Sequence, residues 1–141
     1  EPAFFCILCK VTMKKTEKNA STETGRSAEA FAELYLLQKG HLILQKNFHY
    51  STIAEIDLVS KDQNTLVFTE VKSRKPWKNA HPEKAVNSLK QRKITQAARH
   101  YLRKFPHPDE IRFDVISIIT HPEKAWELEH FEHAFVPVEY Y

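Results

Sequence analysis

The sequence is poor in the residues that mark several protein classes. Its 141 residues include only two glycines, two cysteines and one methionine, and no apolar run approaches the roughly 18 residues of a membrane-crossing helix. So little glycine excludes collagenous and glycine-rich low-complexity chains, and 42% hydrophobic with 28% charged residues excludes a disordered one. Cys6 and Cys9 cannot frame a disulfide-stapled fold, and no cysteine follows them, as suits a reducing compartment. The lone Cys6-x-x-Cys9 lacks a second Cys or His pair at ligand spacing, which argues against zinc. The apolar stretch Ala3 to Cys9 is short and lacks a basic leader. The expectation is a soluble, cytoplasmic protein with no membrane partner and, at 16.5 kDa, one core rather than two.

What is present is charge, unevenly placed. Residues 1–120 carry 20 Lys and Arg against 13 Asp and Glu, whereas residues 121–141 carry one against five. Between Lys72 and Lys104 stand eleven basic residues and one acid, Glu83. A block of that density repels itself unless something anionic meets it, so nucleic acid is the first partner to consider. The competing reading is a solvated helix face.

Along the chain, residues 1–24 read as a flexible lead-in, with Glu1 to Thr12 upstream of a natural start at Met13. Apolar residues Ala28, Phe31, Ala32, Tyr35 and Leu36 recur at three and four, predicting a first helix over Gly25 to Gln38 that stops at Gly40. Three β-rich runs follow, His41 to Phe48, Ile53 to Ser60 and Leu66 to Lys72, and read as an antiparallel meander. Val86 through Phe105 shows a second amphipathic helix with the basic block on its outer face, ended by Pro106. Ile111 to Ile119 is a further strand, made parallel to a meander strand by the helical crossover. Trp126 to Phe131 is a short strand candidate. The fold class is α/β, a mixed sheet in the order αβββαβ with helices on both sides, over residues 25–135, and 136–141 form a tail.

The chemistry concentrates in Ala54-Glu55-Ile56-Asp57-Leu58-Val59 and Phe68-Thr69-Glu70-Val71-Lys72. If the hairpin turns about Gln63 and Asn64, Asp57 faces Glu70 and Glu55 faces Lys72. Opposed side chains place Cβ atoms about 4.5 to 5.5 Å apart. Two carboxylates that close repel each other unless a cation lies between them, and oxygen-only ligation selects Mg²⁺ or Mn²⁺. Lys72, beside them, suits a role on an attacking water and on phosphate charge. The plain alternative makes Glu55–Lys72 a cross-strand salt bridge and satisfies Asp57 and Glu70 separately. A two-carboxylate glycosidase leaves Lys72 without a role.

Asp57, followed thirteen positions on by Glu70-x-Lys72, after a first helix carrying Glu29, resembles the PD-(D/E)xK nucleases of the restriction-endonuclease-like fold. More narrowly, the chain resembles the YraN-type family, which is similar to archaeal Holliday-junction resolvases. The resemblance rests on Gly25-Arg26-Ser27-Ala28-Glu29, Gln38-Lys39-Gly40, Asn47-Phe48, Glu55-Ile56-Asp57-Leu58-Val59, Phe68-Thr69-Glu70-Val71-Lys72-Ser73-Arg74, Lys90 with Ala97-Ala98 and Tyr101-Leu102, and Arg112-Phe113-Asp114-Val115. Ala54 stands where the family usually has glycine, and Ile56 where the superfamily's signature has proline.

The resemblance implies that Asp57 and Glu70 bind Mg²⁺ or Mn²⁺, that Lys72 is the catalytic lysine, and that Glu29 closes the metal site through water. Arg112 and Asp114 fit a structural ion pair. The implied activity is a metal-dependent endonuclease acting on DNA, branched or structured. Arg74, Lys75, Lys78, Lys90, Arg92, Lys93, Arg99 and Arg103 are the candidate nucleic-acid contacts, and a homodimer follows by analogy with junction-cleaving enzymes. The rival is a nucleic-acid-binding or assembly module that keeps the fold without turnover.

Overall fold

In a computed structural model the described residues are 6–9, 21–78, 86–107 and 109–137. Eight elements run in the order β1 (Cys6–Cys9), α1 (Ser21–Gln38), β2 (Leu42–Tyr50), β3 (Ala54–Asp62), β4 (Thr65–Arg74), α2 (Ser88–Lys104), β5 (Ile111–Ile119) and β6 (Glu127–Phe131). One six-stranded sheet has the order β1-β6-β5-β4-β3-β2. β4 and β5 are parallel and every other pair is antiparallel, so this is a mixed α/β fold, with the meander and the crossover where the periodicity puts them. Among the described residues no helix is long and apolar enough to cross a membrane.

Local chemistry sets the element ends. Gly40 takes φ of 92°, a left-handed conformation cheap only for glycine, while the Lys39, Gly40 and His41 amides close back onto the Tyr35, Leu37 and Leu36 carbonyls. α2 begins at Asn87, whose side-chain oxygen accepts the Lys90 N–H at 2.9 Å, and ends with Arg103 and Lys104 in the last turn, where cations suit the carbonyl end. The β3–β4 hairpin turns through Gln63 and Asn64, with Asp62 opposite Thr65.

The sheet buries both faces. Ile94, Ala97, Ala98 and Tyr101 of α2 pack with Phe48, Ile56, Phe68, Phe113 and Val115 of the sheet. The Tyr101 ring meets Phe48 and Phe68 edge-on at 5.2 and 5.6 Å. On the other face Ala28, Phe31, Ala32, Tyr35 and Leu36 of α1 pack with Leu58, Ile116, Ile118 and Leu128 of the sheet.

Two elements differ from the expectation. The segment read as a lead-in contributes β1, paired antiparallel with β6 from Cys6 opposite Phe131 to Cys9 opposite Leu128, and α1 starts at Ser21 rather than Gly25. Edge pairing on β6 supplies β1's backbone partners, a tertiary cause that four residues of sequence do not display.

Candidate active site

The site is made by a parting of the sheet. β3 and β4 pair from Asp62 opposite Thr65 as far as Leu58 opposite Thr69, the register the hairpin predicts. Beyond that point β3 stays with β2 down to Ala54 opposite Tyr50, and β4 stays with β5 up to Arg74 opposite Ile119. The Asp57 carboxylate fills the gap, accepting the Val71 N–H at 2.8 Å. The strict alternation of β3 slips here too: Ala54 and Ile56 pack toward α2, Leu58 toward α1 and Val59 toward α2 again. Asp57 and Glu70 therefore come together across a split rather than as a ladder pair, which corrects the expectation of simple cross-strand opposition.

Around that split the carboxylates crowd. Burial first, then the Glu70 carboxylate, push Asp57 up to about 8 from its ordinary 3.8, with Glu29 and Glu55 adding to the rise and the Val71 N–H opposing it. Glu70 is buried. Its Oε1 has two ammonium groups at 3.4 Å, Lys72 Nζ from its own strand and Lys90 Nζ from the first turn of α2. Its Oε2 is shielded from solvent and has no hydrogen-bond partner. Lys72 thus pairs with Glu70 and not with Glu55, which removes the cross-strand salt bridge from the plain reading. Glu55 instead lies 3.7 Å from His49 Nε2.

Asn47 joins the two outer acids. With its amide nitrogen turned toward them, it donates to Glu29 Oε2 at 3.1 Å and to Glu55 Oε1 at 2.9 Å. Its φ of 52° is a left-handed conformation that Asn tolerates better than most residues. Among the described residues no group of three or more His, Cys, Asp and Glu converges closely enough to enclose a metal ion unaided. Two carboxylates suffice for Mg²⁺, which keeps several waters and takes its remaining oxygens from substrate phosphates. The orphaned Glu70 Oε2 and the repelling Asp57–Glu70 pair fit that demand.

Residues 28–118 match the family described as uncharacterised protein family UPF0102. The chain belongs to the UPF0102 family. A UPF0102 protein of Chlorobium phaeobacteroides is 40% identical over 120 residues, 81% of this chain and 94% of that protein. Another, of Natranaerobius thermophilus, is 40% identical over 113 residues, covering 79% and 95%. A third, of Thermodesulfovibrio yellowstonii, is 40% identical over 116 residues, covering 82% and 98%. The YraN-type resemblance is thereby shown.

In this UPF0102 chain the basic block divides. Lys72 and Lys90 face the acids, while Lys75 and Lys78 are exposed on the segment that leaves β4. Arg92, Arg99 and Arg103 recur at seven and four, an exposed stripe opposite the α2 core residues Ile94, Ala98 and Tyr101. Lys93 is half-buried on the flank. Arg74 turns inward, its Nη1 donating to the Lys78 carbonyl at 3.4 Å. Sequence reasoning placed Lys90 among phosphate contacts and missed its tie to Glu70; one clue was its position at the start of α2, the helix that crosses from β4 to β5.

A second polar centre lies at the hairpin end of the sheet. Arg112 binds Asp114 through two bonds of 2.8 and 2.9 Å, and His130 Nε2 approaches Asp114 Oδ2 at 2.7 Å. The His130 Nδ1 faces the Tyr35 hydroxyl at 3.2 Å. The Arg112–Asp114 pair is structural, as expected; the buried His130 was not anticipated.

Proposed function

We propose that this UPF0102 chain is a metal-dependent nuclease of the restriction-endonuclease-like kind, hydrolysing phosphodiester bonds in branched or otherwise structured DNA. One observation carries the reading: Asp57 and Glu70 meet where β3 and β4 part, with Glu70 Oε2 buried and unpartnered beside the Lys72 ammonium. An orphaned buried acceptor costs about 1–3 kcal/mol, which a ligand at that oxygen recovers.

Asp57 and Glu70 would hold Mg²⁺ or Mn²⁺, with Glu29 reaching it through water. When bound, the cation supplies Lewis-acid polarisation of the phosphoryl group and neutralises the paired carboxylates. Lys72 orients the attacking water and offsets the charge that develops on the phosphorane, a contribution larger in the transition state than in the bound substrate. Lys90 holds Glu70 turned toward the split. Lys75, Lys78, Arg92, Lys93, Arg99 and Arg103 neutralise backbone phosphates, the sequence-independent part of binding.

A second reading, a nucleic-acid-binding or assembly module without turnover, is favoured by one feature. Two ammonium groups 3.4 Å from Glu70 Oε1 already balance that carboxylate without a metal ion. Incubation with linear, nicked, flapped and four-way-junction DNA in Mg²⁺, Mn²⁺ or EDTA separates the two. Cleavage product that disappears in EDTA supports the nuclease, and retarded bands with no product in any metal support the binding module.

A further inference from the structure

The most exposed aromatic ring of the described residues stands at the end of the strand that carries Glu70 and Lys72. Trp77 is 67% exposed. It occupies the third position of a turn from Lys75 to Lys78, closed by the Lys78 N–H donating to the Lys75 carbonyl at 3.2 Å. Pro76 holds the second position, where its fixed φ prepares the turn. The base of the turn is tied down as well. The Arg74 carbonyl accepts the Thr120 N–H at 2.9 Å and the Thr120 hydroxyl at 3.2 Å, and the Arg74 guanidinium reaches the Lys78 carbonyl at 3.4 Å. This is a braced platform. Yet among the described residues the indole stacks on no other ring, although Phe31, Phe48, Phe68, Tyr101 and Phe113 all do.

A large apolar ring held out in water by a rigid turn, with an exposed lysine on each side, matches what an unpaired nucleotide needs. The ring offers a π-face to the base and the lysines offer charge to its phosphates. Bases inside a duplex are already stacked on both faces and present only their edges, so an indole recruits a base only where the strand is single or splayed. Trp77 lies five residue steps beyond Lys72, at most ~18 Å when fully extended.

We infer that Trp77 is a stacking platform for an unpaired base of a DNA strand passing the acidic site, with Lys75 and Lys78 on its phosphates. The inference rests on the reading of that site as one that meets DNA, and it narrows the substrate class to DNA containing unpaired nucleotides next to the reacting bond.

The test measures binding in EDTA, where no cleavage intervenes, with a single-stranded oligothymidine and a duplex of the same length. Saturating oligothymidine should quench the wild-type tryptophan emission. Trp77→Phe should lose that quench and keep the emission of Trp126, whose ring packs on Phe31 at 5.7 Å and reports an intact fold. Trp77→Ala should weaken oligothymidine binding by about five- to a hundredfold and duplex binding by less than twofold, with Trp77→Phe restoring most of the affinity. The proposal is overturned if the quench persists in Trp77→Phe, if both DNAs lose affinity equally, or if the wild type does not bind the single strand. Failure of the nuclease reading looks different: no product with Mg²⁺ while the quench and the single-strand preference remain.

Discussion

Asp57→Asn isolates the electrostatic strain of the split. Asp57 is raised from 3.8 to about 8 by its burial and by the Glu70 carboxylate, so between those values the folded chain holds a proton that the unfolded chain has released. Stability follows the difference in bound protons. The penalty is therefore absent below pH 3.8, grows as pH rises through the window, and is complete above about 8. At about 1.4 kcal/mol per pH unit the ceiling is near 6 kcal/mol, and water reaching a carboxylate that is only partly buried reduces it to roughly 2–3 kcal/mol. Asparagine keeps an oxygen for the Val71 N–H now bound at 2.8 Å and cannot ionise.

For a chain of this size 1 kcal/mol moves the melting temperature by about 3 °C. Thermal melts of wild type and Asp57→Asn should coincide near pH 4 and diverge progressively above it, the variant melting about 6–9 °C higher at pH 9. Millimolar Mg²⁺ should close part of that gap by raising the wild type alone, because a ligand that binds only the folded state stabilises it. A difference between the two proteins that is the same at pH 5 and pH 9 would refute the raised carboxyl and, with it, the close approach of Asp57 to Glu70.

Three further outcomes are expected. Lys72→Ala should slow single-turnover cleavage by about a hundredfold or more, the effect of removing one preorganised charge, while binding in Ca²⁺ changes little; cleavage within threefold of wild type removes Lys72 from the mechanism. Exchanging Arg92, Arg99 and Arg103 together for Gln should reduce the salt dependence of DNA affinity by about 0.9 log-log unit for each phosphate no longer neutralised, and an unchanged slope means that the α2 stripe is only solvated. Asp114→Asn should destabilise the fold by about 3–5 kcal/mol, read by urea denaturation, because it leaves the Arg112 charge buried without its bidentate partner; a loss under about 1 kcal/mol would show the network to be dispensable.

The parts of the fold that declare themselves in sequence are those governed by local period and turn chemistry. The two-residue turn at Gln63-Asn64, the Gly40 stop and the strand Ile111–Ile119 follow from alternation, φ preference and helical spacing alone. The parting of β3 from β4 does not, because it is decided by which neighbour each strand keeps, β2 for one and β5 for the other. Strand alternation at Asp57 reads as regular, and only packing on two different helices reveals the slip at Leu58. Lys90 was legible as a cation but not as a partner of Glu70, since nothing local links the start of α2 to the end of β4. His130 left a trace. It stands two residues after the buried Leu128 in an alternating strand, on the face that turns inward.

Comparison of the two buried carboxylate centres decides which of them is poised for a ligand. Burial alone would raise Asp114, yet the His130 bond and the bidentate Arg112 outweigh it and hold that carboxyl below its ordinary range. The His133 N–H adds a further bond at 3.2 Å, so both Asp114 oxygens are satisfied by the protein itself. A centre so completed can specify the packing of α1 on the sheet, but it has no free valence to offer. At the split the balance is reversed. Asp57 is held above its ordinary range, and Glu70 keeps one oxygen buried and unbonded despite two nearby lysines. Folding tolerates a cost there of a few kcal/mol that the same chain avoids around Asp114. A cost concentrated on oxygen donors beside half-exposed ammonium groups is what the proposed nuclease reading requires of its site, since a cation and a phosphate would recover it, and it sets the parting of β3 and β4 apart from the completed Asp114 centre as the place to test that reading.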